Sequence, residues 1–145
     1  MERTLRMAER RGAMLLFLDE DMTFGADHLT SALHHAKKAF AEGRNSSDSL
    51  AMETLLYASG ERQLSSAIRK MGVDDETTGV VIARLTEVDV DPETGWTPYR
   101  DDLRQPDEER LLRFGISREE LATAHETRRL DLVLEKVAAV DLIRK

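Results

Sequence analysis

A short polar segment between two helical patterns has the residue types of an anion-binding site. It comprises Ser59, Gly60, Glu61, Arg62 and Gln63. When a single glycine separates two helices, backbone N–H groups at the start of the second helix lack partners, and the helix dipole adds partial positive charge there. The arginine contributes a fixed charge with a planar set of donors, and the serine and glutamine contribute polar groups that suit a sugar or a base edge. The chemistry that this segment favours is therefore the binding of an anion.

The same five residues also fit an ordinary turn between two helices. In that interpretation Arg62 pairs with Glu61 or Glu53 on the protein surface and binds nothing else. The residue types alone leave both interpretations open.

The histidines upstream of this segment are poorly spaced for a metal site. His34 and His35 are adjacent, so on a helix their side chains diverge by about 100° and cannot hold one metal together. His28 lies more than one helical turn before His34. A solvated polar face is the better interpretation, and we expect neither a metal nor a cofactor.

Signals for catalysis are equally weak. The chain has no GxxxxGK[ST], GxGxxG or GxSxG motif, and it has no cysteine to act as a nucleophile or to form a disulfide. Glu53, Glu61 and the acidic run at residues 74–76 are typical of charged surfaces and loops rather than of paired catalytic carboxylates. We therefore expect that the protein is not an enzyme.

Helical patterns flank the candidate segment on both sides. Upstream, Met52, Leu55 and Leu56 fall on one helical face, and the pattern stops at Gly60. The downstream helix stops at Gly72, and its apolar positions are Leu64, Ala67, Ile68 and Met71. This spacing predicts a tight helix–glycine–helix junction with the polar segment at its turn.

A longer amphipathic helix precedes this pair. Asp27 is a suitable N-cap residue for it, and Gly43 ends its pattern. Its apolar positions are Leu29, Leu33, Ala36 and Phe40. The opposite face holds His34, Lys37 and Lys38, so we predict that this face is exposed and basic.

Two predicted strands bracket these helices. The apolar run at residues 13–18 and the β-branched run at residues 79–85 both favour strands. Residues 87–106 are acidic and turn-rich, and they predict an exposed loop. The order of elements predicts a two-layer α+β fold in which a small mixed sheet is covered by several helices.

The C-terminal third is predicted to be helical. A short helix is expected at residues 107–114, and capping-box patterns pair Ser117 with Glu120 and Thr123 with Glu126. A long final helix carries an apolar stripe at Leu130, Val133, Leu134, Val137 and Val140.

Size and hydropathy predict one domain over residues 1–145. No apolar stretch approaches the roughly 20 residues that span a bilayer, and the charged start has no long apolar signal core. We therefore expect no membrane association and a cytoplasmic location.

The net charge of −7 is unevenly distributed along the chain. Residues 1–72 contain ten basic and ten acidic residues, whereas residues 73–145 contain eleven basic and eighteen acidic residues. Because phosphate neutralisation drives nucleic-acid binding, an acidic protein is a poor general binder of nucleic acids. Any local contact with nucleic acid is therefore expected in the neutral first half, where the candidate segment lies.

Residues 48–68 resemble the motif of the PRPK-binding protein family, whose eukaryotic member is TPRKB. The family pattern is a helix containing Met and Glu, then Ala-Ser-Gly-x-Arg-Gln and Ile or Leu, then an Ala-Ile helix ended by Gly. The matching residues are Ala58, Ser59, Gly60, Arg62, Gln63, Leu64, Ala67, Ile68 and Gly72. The likeness is strong over residues 24–72 and moderate over residues 127–143. The chain is thus similar to the smallest subunit of KEOPS (EKC), the complex that makes threonylcarbamoyladenosine in certain tRNAs.

The resemblance implies a non-catalytic protein that binds and stimulates the PRPK-type kinase/ATPase subunit of KEOPS and recruits tRNA through its 3′ CCA end. Carried over by position, the residues that would contact the CCA end are Ser59, Gly60, Arg62 and Gln63. From charge alone, we add Lys37 and Lys38 as contacts to tRNA phosphates. The kinase would meet the final helix at Leu130, Val133, Leu134, Val137 and Val140, although this stripe fits a plain core equally well. The threonylcarbamoyl transferase subunit would be an indirect partner.

Two other functions remain open at this point. One is a pure protein–protein adaptor that regulates a kinase without contacting RNA. The other is a small-ligand or anion-binding domain that uses the same junction.

Overall fold

The computed structural model describes residues 14–85 and 107–143 of the chain. The acidic loop predicted at residues 87–106 lies outside the described residues, as does the charged segment at residues 1–13. The single domain over residues 1–145 stays a prediction.

Two strands form an antiparallel sheet. β1, Leu15–Asp19, pairs with β2, Val80–Arg84, so that Leu15 lies opposite Arg84. Both strands confirm the sequence prediction to within two residues at each end. The side chains of Leu16 and Leu18 are buried while their neighbours are half-buried, as expected when alternate residues face the core. Within the described residues the sheet consists of this pair alone, so it is antiparallel and not the mixed sheet that the order of elements predicted.

Six helices lie within the described ranges. They are α1 (Ala26–Ala41), α2 (Leu50–Ser59), α3 (Leu64–Met71), α4 (Glu108–Phe114), α5 (Arg118–Thr123) and α6 (Arg129–Ile143). Short 3-10 turns occupy Glu20–Met22 and Glu126–Arg128. α1 packs against α2 and α6, and α2 also contacts β1. The predicted α+β class is therefore confirmed, with the core between the helices and the sheet.

The start of α1 and its buried face differ from the sequence prediction. The N-cap residue is Gly25, with φ at 107°, and Asp27 is an exposed residue of the first turn. The buried positions are His28, Ala32, Ala36 and Ala39, whereas Leu29, Leu33 and Phe40 are only half-buried. Small alanine side chains let two helix backbones approach closely, which explains why this face packs on α2.

Two further details correct the sequence prediction. Ile68, assigned to the apolar face of α3, is 46% exposed, because Ala67 and Met71 occupy the side of α3 that faces the core. The capping box of Thr123 does not form; Thr123 is the last residue of α5, and its hydroxyl donates to the carbonyl oxygen of Glu120.

The other capping box is confirmed. The Ser117 hydroxyl accepts the Glu120 N–H at 3.0 Å, and the Glu120 carboxylate accepts the Ser117 N–H at 3.1 Å. None of the helices in the described ranges is long and apolar enough to cross a membrane.

Candidate functional site

The turn between α2 and α3 is built around Gly60. Ser49 caps the start of α2, where its hydroxyl accepts the N–H groups of Ala51 and Met52. The helix ends where Gly60 adopts the left-handed conformation (φ 71°, ψ 14°). This conformation costs a residue with a side chain about 1–2 kcal/mol. A Cβ at Gly60 would also lie 3.2 Å from the Cβ of Lys136 on α6. The predicted helix–glycine–helix junction is confirmed, and α6 packs closely against it.

Ser59 is fully buried inside this turn. Its hydroxyl donates to the carbonyl oxygen of Leu56 at 2.9 Å and accepts the N–H of Glu61 at 3.2 Å. Both bonds lie within the turn itself. Ser59 therefore shapes the junction, and a ligand would meet its exposed neighbours rather than its hydroxyl.

Arg62 and Gln63 are exposed on the outer side of the turn. Gln63 is the N-cap residue of α3, but no side chain among the described residues caps this end, and the first turn of α3 has no acidic residue. The partial positive charge at the start of α3 is therefore open to an anion.

The ordinary surface pairing considered for Arg62 is not what the structure shows. The Glu61 carboxylate lies 3.4 Å from the Lys70 ammonium group. Glu53 is fully buried and accepts the N–H groups of Ser46 and Ser47 at 3.1 Å. Both carboxylates proposed as partners of Arg62 thus interact with other groups of the chain.

Lys70 of α3 holds the junction together from the inside. Its ammonium group donates to the carbonyl oxygen of Ser59 at 2.6 Å and lies 3.9 Å from the ring centroid of Phe114 on α4. Only 15% of its side chain is exposed, and burial lowers its pKa, although the nearby Glu61 carboxylate opposes this shift. A cation at this place stabilises the C-terminal carbonyl groups of α2. The sequence did not single out Lys70, because its partners come from two other helices.

His28 anchors α1 beside the same junction. One ring nitrogen, Nδ1, accepts the N–H of Phe24 at 3.1 Å, and the other, Nε2, donates to the carbonyl oxygen of Ala58 at 2.7 Å. Burial lowers the pKa of His28 to about 4, so the ring is neutral at pH 7. His28 therefore has a structural role. Across the described ranges, no group of three or more potential ligand residues could hold a metal ion.

Lys37 and Lys38 are exposed but lie away from the junction. His28 marks the end of α1 that touches the C-terminus of α2, and Lys37 follows it by nine residues, or about 14 Å of helix. The structure therefore brings Arg62 and Gln63 together but places the two lysines on a separate part of the surface.

The apolar stripe of α6 is mostly core. Val133, Val137 and Val140 are fully buried, and Leu130 and Leu134 are half-buried. α6 packs on α1 and α2, and the three valines belong to the hydrophobic core. Three of the five residues assigned to kinase contact therefore contact this chain itself and cannot also meet a partner.

A polar cluster fixes the last turn of α6. The Asp141 carboxylate accepts hydrogen bonds from the Tyr57 hydroxyl, from Arg44 Nη1 at 3.0 Å and from His35 Nδ1 at 3.1 Å. Partial burial raises the pKa of Asp141, but these hydrogen bonds outweigh burial and hold the pKa below its usual value. We call these four residues the Asp141 cluster. The sequence indicated none of it, since the cluster joins residues far apart along the chain.

Two comparisons with known proteins bear on this site. A model of the family described as kinase binding protein CGI-121 matches residues 2–103, which include the junction and both strands. The EKC/KEOPS complex subunit cgi121 of Aspergillus fumigatus is 27% identical over 70 residues, or 48% of this chain. The match covers only 37% of that fungal subunit. Both findings confirm the family resemblance read from residues 48–68.

Proposed function

Because the chain belongs to the kinase binding protein CGI-121 family, we propose that it is a non-catalytic subunit of a KEOPS complex for threonylcarbamoyladenosine modification of tRNA. In this role it binds and stimulates a PRPK-type kinase/ATPase subunit and recruits tRNA through the 3′ CCA end. It works in the cytoplasm, with the threonylcarbamoyl transferase subunit as an indirect partner. The observation that carries the RNA role is the uncapped start of α3 beside the exposed Arg62.

The charge around the junction supports an RNA ligand. Residues 62–73 contain three basic residues and no acidic one, although the chain as a whole has a net charge of −7. Arg62 and Gln63 are exposed, and the nearest acid, Glu61, is already paired with Lys70. A phosphate at this turn would therefore meet unopposed positive charge.

The first turn of α3 suits a closely approaching strand. Because no side chain within the described residues caps this end, phosphate groups can meet the peptide N–H groups at the start of α3, whereas the N–H groups of Gly60 and Glu61 already bond to Tyr57 and Ser59. Gln63 offers an amide that can both donate and accept hydrogen bonds to a base edge. Lys37 and Lys38 would contact phosphates farther along the tRNA.

The kinase contact is supported by the family description and by the exposed side of α6. Because the three valines are core, the proposed contact rests on the half-buried Leu130 and Leu134 and on Leu142, which is 71% exposed.

The RNA role is tested by measuring the affinity of the chain for intact tRNA and for tRNA whose 3′ CCA end has been removed. We expect removal of the CCA end to weaken binding about tenfold, and Arg62→Ala to weaken binding of intact tRNA by a similar factor. Arg128→Ala is the matched control, because Arg128 is exposed but already paired with Asp131 at 3.0 Å. Equal affinity for both tRNAs would overturn the CCA role.

A second function, the kinase adaptor without RNA contact, is favoured by the acidic second half of the chain. It predicts that the kinase co-purifies with the chain and that no tRNA is retained at any salt concentration. The α6 contact would be overturned if Leu142→Asp and Leu134→Asp, alone and together, left co-purification with the kinase unchanged. The kinase role itself would be overturned if the wild-type chain did not co-purify with the kinase.

A further inference from the structure

Arg129 carries a buried hydrogen-bond donor that no group in the described part of the chain satisfies. Its Nε atom is shielded from solvent and has no hydrogen-bond partner, and among the described residues no other buried side-chain nitrogen or oxygen is in this state. The guanidinium group also has no ion pair with any residue that the structure describes. Because buried polar groups in folded proteins are nearly always paired, this exception indicates a role outside the fold.

The position of Arg129 in α6 explains why Nε is buried. Arg129 is the first residue of α6 and lies about one turn before Val133 and two turns before Lys136, so the three residues share one side of the helix. Val133 is fully buried, and Arg129 itself is half-buried. Burial of the aliphatic stem of Arg129 at the edge of the core therefore takes Nε out of solvent.

Acidic residues close to Arg129 on α6 and α5 already have cationic partners. Asp131 accepts a hydrogen bond from Arg128 Nε at 3.0 Å, and the Glu120 carboxylate lies 3.3 Å from the ammonium group of Lys136. The partial positive charge at the start of a helix further disfavours a cation there. Arg129 therefore has both an unopposed charge and an unsatisfied donor, and both lower the stability of the isolated chain.

We propose that Arg129 binds a carboxylate of the kinase partner. The Nε–H and a terminal N–H of a guanidinium group are parallel and match the two oxygens of a carboxylate, so one aspartate or glutamate satisfies the buried donor and the charge together. This inference rests on the proposed kinase-binding function and adds to it a residue that selects an acidic group on the partner. Leu130 follows Arg129, is half-buried and supplies apolar surface beside the ion pair.

A phosphate of an RNA is the competing anion for Arg129. The charge of the surroundings favours a carboxylate, because residues 107–143 contain nine acidic and six basic residues. Asp131 and Glu135 lie within two turns of Arg129 on α6, and Glu135 is exposed. A polyanion would be repelled by these acids along its length, whereas a single carboxylate on a protein surface needs only the charge of Arg129.

The test measures two properties of the full-length chain: its melting temperature, and its affinity for the PRPK-type kinase subunit of the same organism. Arg129→Met keeps the apolar stem but removes the unsatisfied donor and the charge. We expect its melting temperature to equal or exceed that of the wild type and its affinity for the kinase to fall about tenfold to a hundredfold. Arg129→Lys keeps the charge but lacks the planar pair of donors, so it should recover only a small part of the affinity.

Arg118→Met is the matched control, because Arg118 is exposed and already paired with Glu108 at 3.8 Å, and this variant should bind the kinase like the wild type. If the wild type binds the kinase and Arg129→Met binds it equally well, the role of Arg129 is overturned and the kinase function stands. A marked fall in the melting temperature of Arg129→Met would show that the guanidinium group serves the fold, which also overturns the inference. If Arg129→Met weakens the binding of tRNA but not of the kinase, the anion is a phosphate and the inference is wrong. If the wild type does not bind the kinase, the proposed kinase function itself fails, and the inference fails with it.

Discussion

The α2–α3 junction and the Asp141 cluster use charged side chains in opposite ways. In the Asp141 cluster, one carboxylate accepts hydrogen bonds from Tyr57, Arg44 and His35, so these charges serve the fold. At the junction, one buried cation, Lys70, stabilises the turn, while Arg62 is exposed and has no ion pair with any residue that the structure describes. The difference teaches that a basic residue indicates a binding surface only when the fold has not already supplied its counter-charge.

The largest expected effect compares a buried position of α6, the helix that carries Asp141, with an exposed position of α3, the helix that begins at the junction. Val137→Asp places a carboxylate in a fully buried position of α6, and we expect it to lower the free energy of unfolding by about 4 kcal/mol or more. Ile68→Asp puts the same group on the exposed face of α3 and should change stability by about 0.5 kcal/mol or less. Chemical denaturation of both variants measures this contrast. A stable, folded Val137→Asp protein would show that the α6 stripe is free for a partner after all.

The next effect concerns the pH dependence of the junction. His28 has a pKa of about 4 in the folded chain and about 6.5 when unfolded, so the unfolded state binds more protons between these pH values. The free energy of unfolding should therefore fall by about 3 kcal/mol as the pH is lowered from 6.5 to 4, and it should be unaffected by His28 above pH 6.5. His34→Gln, at an exposed position, is the control and should keep the wild-type profile. His28→Gln should flatten the profile in this window, and an unchanged profile would contradict the structural role of His28.

Local periodicity predicted much of the fold. Gly60, Gly72 and Ser117 are helix-capping residues, and capping depends on neighbours within four positions along the chain. Their roles at helix ends were therefore predicted correctly. The burial of α1 was not, because His28 and Ala32 become core only when α2 approaches them. Helical spacing alone does not show which of two adjacent faces of α1 will be covered when α2 packs against it.

The candidate site was predicted in the same partial way. The exposed Arg62 and Gln63 follow from the turn itself, whereas Lys70 reaches back to Ser59 and across to Phe114, which lies far along the chain. A contact between residues so far apart along the chain cannot be predicted from the spacing of apolar residues within one helix. Ser59 shows the converse, since a hydroxyl that looks available in sequence is consumed by the turn that it forms.

A smaller effect is expected at Lys70. It tests whether this buried cation, by fixing the turn, also supports RNA binding at the exposed Arg62. Lys70→Met keeps much of the side-chain volume but leaves the carbonyl oxygen of Ser59 without its donor, which should cost about 1–3 kcal/mol of stability. Because the turn then loses its fixed shape, the affinity for a single-stranded RNA ending in CCA should also fall, although Lys70 itself is largely buried. Lys70→Arg should recover part of both losses. If Lys70→Met lowers stability but leaves RNA affinity unchanged, the contact between Lys70 and the Ser59 carbonyl oxygen stabilises the fold and has no effect on binding.

The smallest effect is expected at the Asp141 cluster and completes the comparison. Asp141→Asn removes the charge that accepts three hydrogen bonds but keeps an acceptor of the same shape, and the site is partly open to solvent. We expect a loss of about 1 kcal/mol in the free energy of unfolding and no change in RNA affinity. The pKa of Asp141 is lowered in the folded chain, so its contribution is present at neutral pH and is lost as the pH falls through that lowered pKa. The stability difference between wild type and Asp141→Asn should accordingly shrink in acid. A loss of RNA binding in this variant would show that the charges of the cluster are not confined to the fold, and the contrast with the junction would no longer hold.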